Sequence, residues 1–124
     1  MAGLVIARVV ILLVGLAAAS PSLADAAAGQ KVFQSQCSTC HAVTSGTMKI
    51  GPSLYAIVGR AAGTETGYRY SPAMTKSGLT WTSAELHTYL AAPRKAVPGT
   101  KMTYAGVKDP AKLDDVVAYL ETVK

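Results

Sequence analysis

The sequence predicts an all-α protein in which a few short helices are joined by long loops. Three observations carry this. Thr82-Ser83-Ala84-Glu85 and Asp109-Pro110 are helix-start signals, each followed by apolar residues at helical spacing. No segment alternates apolar and polar residues as a half-buried strand does. Residues 42–80 are punctuated so closely by glycine and proline that they read as one irregular stretch.

In chain order, the first element is a leader. Met1 to Arg8 ends in a positive charge, and Val9 to Ala19 is an apolar run of 11 residues. Ser20-Pro21 breaks the pattern, and Ser22-Leu23-Ala24 offers small residues for cleavage after Ala24. The competing reading is a retained membrane anchor, for which this run falls short of the roughly 20 residues a bilayer requires. Residues 1–24 are thus read as a cleaved secretory signal and 25–124 as a single domain. Of the 12 basic and 7 acidic residues, only Arg8 leaves with the leader, so the net charge falls from +5 to +4.

Residues 28–40 form the first expected helix, with Val32, Phe33, Gln36 and Cys37 along one stripe. Gly29 on that stripe lets another backbone approach closely. Residues 42–80 follow. Leu54, Tyr55, Ile57, Val58, Tyr68 and Tyr70 make this stretch too apolar for disorder. So long a loop is out of place in a compact domain unless it wraps a bound group that supplies its missing core. Thr82 caps the next helix, Leu86, Tyr89 and Leu90 form its apolar face, and Pro93 stops it. Residues 94–108 read as loop, with a turn at Pro98-Gly99. Asp109 then caps a final helix with Pro110 at its first position, and Leu113, Val116, Val117 and Leu120 fall on one face.

The chemistry lies in Cys37-Ser38-Thr39-Cys40-His41, the C-x-x-C-H pattern of covalent c-type haem attachment. Two thiols add across the two vinyl groups of one haem, and a short helical turn spans the distance between them. His41 then faces the iron. Two other readings compete. A redox dithiol sits beside a βαβ pattern, and none is found here. A structural zinc site takes four ligands, which would have to be Cys37, Cys40, His41 and the distant His87, at a spacing unlike common zinc modules. Export and haem attachment support each other, because c-type haem is attached outside the bacterial cytoplasm. The haem consumes both cysteines of the chain, leaving no disulfide, and its apolar bulk supplements the limited core of a small domain.

What fills the sixth iron position decides the function. An open position permits oxygen or peroxide chemistry, and a second side-chain ligand favours electron transfer. The candidates are Met48, Met74, His87 and Met102. Met102 has the better setting, in the loop Val97-Pro98-Gly99-Thr100-Lys101-Met102, which Pro98 stiffens and Gly99 tightens. Its competing role is soft core filler. Met48 is only seven residues from His41, on the near side of the ring. His87 falls off the apolar stripe of its helix and reads as a surface histidine.

Residues 27–123 resemble class I cytochromes c, the mitochondrial protein and its soluble bacterial counterparts. The matching stretches include Gly29 to Phe33, Cys37 to His41, Gly51 to Leu54, Val58-Gly59-Arg60, Gly78 to Trp81, Tyr89-Leu90, Pro98 to Met102 and Val116 to Leu120. Their order and intervals agree as well as their residue types. The resemblance implies a fold of short helices and long loops around one covalently attached haem c, with His41 and Met102 as the iron ligands. It implies that the Pro52 carbonyl accepts a hydrogen bond from the second nitrogen of His41, and that the Tyr89 hydroxyl lies near the Met102 sulfur. Arg60, Tyr70 and Trp81 would hold the propionates, with Thr100 contributing from the ligand loop. Gly29 and Phe33 would pack against Val116 and Tyr119. Three departures stand out. Met74 replaces an asparagine usual near a propionate in the mitochondrial proteins, the loop after His41 is one residue shorter, and Gln36 replaces a basic residue beside the first cysteine.

The function so implied is a one-electron carrier of the periplasm, monomeric, acting on no substrate and not spanning the membrane after cleavage. Its expected partners are redox proteins with acidic docking faces: a quinol-oxidising complex, a terminal oxidase of a respiratory chain, a photosynthetic reaction centre or a periplasmic dehydrogenase. Arg94, Lys95 and Lys101 flank the Met102 loop, and Lys49 follows the haem motif, as a docking ring would require. A net charge of +4 without clustered aromatic and basic residues excludes nucleic acid. The alternatives are a haem subunit bound permanently to a larger oxidoreductase, and a haem sensor or peroxidase with an open sixth position.

Overall fold

The computed structural model describes Val14, Gly15 and residues 24–124. The leader reading of residues 1–24 therefore falls outside the described residues, apart from Val14, Gly15 and Ala24. Among the described residues there are helices and loops and a single isolated bridge, Ala61 to Thr80, but no strand. The helices are α1 (Ala26–Gln36), α2 (Pro72–Thr75), α3 (Ser83–Ala91), α4 (Pro93–Ala96) and α5 (Pro110–Thr122).

Helix α1 starts earlier and ends earlier than its apolar stripe suggests. Asp25 is its cap, accepting from the backbone N–H groups of Ala27 at 2.9 Å and Ala28 at 3.2 Å. At the other end the amides of Cys37 and Ser38 both turn back to the Phe33 carbonyl. The Ser38 hydroxyl takes the Gln34 carbonyl at 2.6 Å. These bonds satisfy the last carbonyls of the helix, so the expected segment 37–40 becomes tight turns rather than helix.

Helix α1 packs on α5 through Gly29. A β-carbon there would lie 1.8 Å from the Asp115 carbonyl oxygen, so only glycine admits this approach. The Asp25 amide donates to the Asp115 carboxylate at 2.8 Å, and the Phe33 and Tyr119 rings meet at 5.6 Å. Val116, Val117 and Leu120, at most 2% exposed, form the buried face of α5. Each such side chain contributes about 1.5–3 kcal/mol by burial, so this face anchors the core. Helix α3 lies against α5, with its Thr82 cap accepting from the Glu85 amide at 3.2 Å. The seam carries the Ser83 to Glu121 hydrogen bond and His87, whose nitrogens lie 2.8 Å from the Ser83 carbonyl oxygen and from Asp114 Oδ1.

Two helices depart from the expected loops. Helix α2 lies inside residues 42–80, and α4 inside 94–108 apart from its first residue. Each is one turn started by a proline, Pro72 after the Ser71 cap and Pro93 after Ala92. Pro93 thus ends α3 and begins α4, as its fixed φ and missing N–H allow. One turn is too short to show an apolar period.

The long middle stretch is tied at its ends rather than free. The Gly59 amide donates to the Trp81 carbonyl at 2.8 Å, Trp81 returns to Arg60 at 2.8 Å, and Ala62 donates to Leu79 at 2.9 Å. Ile57, just before these ties, and Met74, between them, turn inward and are buried with Trp81.

Candidate haem-binding site

The turn after α1 presents Cys37, Cys40 and His41 to one cavity. Its amides are closed locally, with Cys40 and His41 both donating to the Cys37 carbonyl at 3.1 and 2.9 Å. The following loop is bound back onto it, since Gly51 donates to the Cys40 carbonyl at 2.8 Å and Leu54 to that of Ala42 at 2.9 Å. This return brings the Pro52 carbonyl to 2.7 Å from Nδ1 of His41. A carbonyl only accepts, so Nδ1 carries the proton and Nε2 keeps its lone pair. Burial lowers the pKa of His41, opposed by the Pro52 bond and assisted by Lys49, which favours the neutral ring that can ligate.

The second side of the cavity comes from α3 and the loop after α4. Thr100 donates its amide to the Val97 carbonyl at 3.0 Å, with Val97 itself buried. Its hydroxyl lies 2.8 Å from the Tyr89 hydroxyl, and that phenol also reaches Sδ of Met102 at 3.8 Å. Tyr89 is held against Trp81 with ring centroids 4.9 Å apart. Lys101 fastens the loop from outside, donating to the Arg69 carbonyl at 2.6 Å and lying 5.2 Å over the Tyr68 ring. The Tyr104 hydroxyl bonds Gln36 Oε1, closing the loop onto the end of α1.

All ten residues singled out from the sequence line this one cavity of about 310 Å³: Cys37, Cys40, His41, Pro52, Arg60, Tyr70, Trp81, Tyr89, Thr100 and Met102. Met74 also lines it, whereas Met48 and His87 do not. His87 is instead committed to the α3–α5 seam, so the four-ligand zinc set does not assemble. The dithiol reading fails on reactivity. Burial and the neighbouring Cys40 push the Cys37 thiol up to about 11, whereas a reactive thiol needs a lowered pKa.

The donor set and walls fit a haem. Phe33, Leu54, Ile57, Leu86 and Leu120 supply apolar walls, and two unpaired half-buried thiols stand beside an imidazole with a free Nε2. A thioether sulfur shares the cavity, and Arg60 and Tyr70 supply polar donors to carboxylates. Sequence reasoning missed three contacts around this cavity: Gly51 against the His41 ring, Glu65 on Arg60, and Gln36 with Tyr104. Only the opposite charges of Arg60 and Glu65, five residues apart in a turn-rich segment, leave a trace in the sequence.

The cytochrome c family profile matches residues 26–124. The chain belongs to the cytochrome c family. It is 50% identical over 100 residues to cytochrome c2 of Rhodopila globiformis, covering 81% of this chain and 94% of that one. It is 44% identical over 107 residues to cytochrome c2 of Blastochloris viridis, covering 85% and 84%. Cytochrome cH from Methylobacterium extorquens has the same fold, with a TM-score of 0.74 and 49% identity over 79% of this chain and 98% of that one. This cytochrome c therefore carries one covalently attached haem c and acts as an electron carrier, not as an enzyme.

Proposed function

We propose that this cytochrome c is a soluble periplasmic carrier in which Cys37 and Cys40 form the two haem thioethers and His41 and Met102 hold the iron. The bound haem supplies a one-electron Fe(III)/Fe(II) couple. The observation that carries this reading is the pair of supports on one cavity: Nδ1 of His41 donating to Pro52 at 2.7 Å, and the Tyr89 hydroxyl donating to Met102 Sδ at 3.8 Å. The first support orients the imidazole and raises its basicity. The second holds a soft thioether whose weak donation favours Fe(II) and a high potential. Trp81, Tyr70, Arg60 and Thr100 serve the propionates, whose charge needs such donors in the interior. Two side-chain ligands leave no position for a substrate.

Residues 1–24 act as a cleaved leader, delivering residues 25–124 to the periplasm as one domain. Partners are redox proteins with acidic faces that meet Lys49, Arg94, Lys95 and Lys101. Arg94, Lys95 and Lys101 stand exposed around the Met102 loop, with Lys49 exposed beside the haem motif. Such encounters are steered by charge and weaken with salt. The donor and acceptor are drawn from quinol-oxidising complexes, terminal oxidases, photosynthetic reaction centres and periplasmic dehydrogenases.

The test is Met102→Ala in the haem-loaded protein. Loss of the weak sulfur-to-iron charge-transfer band and new binding of carbon monoxide by the ferrous form are expected. Survival of the band, or carbon monoxide binding by the native protein at neutral pH, overturns the assignment. Reduction by candidate donors across a salt series then ranks the partners.

A further inference from the structure

We infer that Glu65 is a positioning residue that sets both the charge and the donor geometry offered to the haem propionates. The inference rests on the proposed reading in which Arg60 and Tyr70 hold those carboxylates.

Two separate groups of Glu65 act on the two donors. Its carboxylate lies 2.7 Å from Arg60 Nη1, with the two side chains only 18% and 19% exposed. The same nitrogen donates to the Tyr55 carbonyl at 3.1 Å, and Nη2 donates to the Ser53 carbonyl at 3.0 Å. Ser53 is fully buried and its hydroxyl is tied to the Thr44 carbonyl at 2.7 Å, so this anchor is rigid. A guanidinium has five N–H donors. Three are committed here, which leaves one on Nη2 and the one on Nε for a carboxylate in the cavity that Arg60 lines.

The second group is the Glu65 backbone N–H, which donates to the Tyr70 hydroxyl oxygen at 3.1 Å. The phenol oxygen thus accepts from the backbone and keeps its own proton to give. Tyr70 lines the cavity and is braced edge-on by Tyr68, with centroids 4.8 Å apart. Residue 65 therefore aims one donor by its side chain and the other by its main chain.

The charge consequence follows from the pairing. A lone guanidinium beside the propionates would oppose the ferric state, which carries one more positive charge than the ferrous state. Glu65 offsets that cation while leaving its free N–H groups in place. The carboxylate is kept in a mostly dry position only because it is paired. Glu65 thus holds the potential below the value that Arg60 alone would impose.

The experiment is a redox titration of the haem-loaded protein and its Glu65→Gln variant. The amide keeps an acceptor for Arg60 but removes the charge. At a fixed ambient potential near the midpoint, the ferrous-to-ferric ratio should rise several-fold in Glu65→Gln. Because Glu65 acts through Arg60, the rise should shrink when the same change is made in an Arg60→Gln background. Glu65→Asp, which restores the charge, should return the ratio toward the native value. An unchanged or lower ratio in Glu65→Gln, or an equal rise with and without Arg60, overturns the inference. A merely structural role would lower the unfolding midpoint and leave the ratio alone. Failure of the underlying reading would look different: Arg60→Gln alone and Tyr70→Phe alone would each leave the native ferrous-to-ferric ratio unchanged.

Discussion

A β-carbon on Gly51 would stand 2.3 Å from Cε1 of His41 and 2.7 Å from Nδ1. The imidazole therefore lies flush on bare backbone, and the next residue, Pro52, supplies the carbonyl that fixes it. Gly51 is itself buried. Two adjacent residues thus set the position and the rotation of the ring. Gly51→Ala forces the ring or the loop to move, at a cost on the order of 1–3 kcal/mol. The expected outcome is a lower yield of haem-loaded protein and a lower unfolding midpoint, read by haem absorbance and calorimetry. Native values for both would remove this contact from the site's design.

Gly29→Ala tests the α1–α5 contact in the same way. In an exposed helix this change helps by about 1 kcal/mol. Here the new carbon meets backbone, 1.8 Å from the Asp115 oxygen, and backbone cannot swing aside. The clash should win, with a net loss of about 1–3 kcal/mol. A domain of this size loses about 4–8 °C in midpoint per kcal/mol. A stabilised variant would show that the helices are not in contact at Gly29.

Tyr89→Phe removes the hydroxyl that reaches Met102 and Thr100 while keeping the ring on Trp81. The stability loss should be about 0.5–1.5 kcal/mol, the net worth of a hydrogen bond. A donated proton draws electron density from the sulfur. Without it the thioether donates more strongly and favours Fe(III), so the reduction potential should fall. A rise in potential on redox titration would contradict the bond to sulfur.

Alkaline stability tests the buried phenols. Burial raises Tyr70, Tyr89 and Tyr104 above the ordinary phenol value of 10.0, because the phenolate is poorly solvated there. The folded chain then keeps protons that the unfolded chain releases. The corresponding stability is fully present below pH 10.0 and is lost as pH rises through the folded values. Denaturant midpoints of the haem-loaded protein should decline above that pH, less steeply in Tyr89→Phe. A flat profile would contradict the burial.

Much of the site was legible because its chemistry is local. Cys37, Cys40 and His41 must share one turn, so their spacing survives as a contiguous pattern. The caps at Thr82 and Asp109 act on amides two or three residues away, so they too can be read along the chain. The start of α1 at Asp25 was just as local, but its alanines carry no apolar stripe to mark it. Helices α2 and α4 escaped because one proline-started turn has no period to detect.

By itself, then, the sequence determined the all-α class, the haem motif and its histidine, and a shortlist of sulfur and nitrogen atoms for the far side. Tertiary structure decided which of these share a cavity: Met102 and Met74 line it, while Met48 and His87 do not. It also decided that Gly51 bears on His41, that Gln36 meets Tyr104 across 68 residues, and that Glu65 holds Arg60. The physical reason is that a helix or a turn is closed by bonds between near neighbours in sequence. The course of a long loop is set instead by what it wraps and by the distant backbone that ties down its ends.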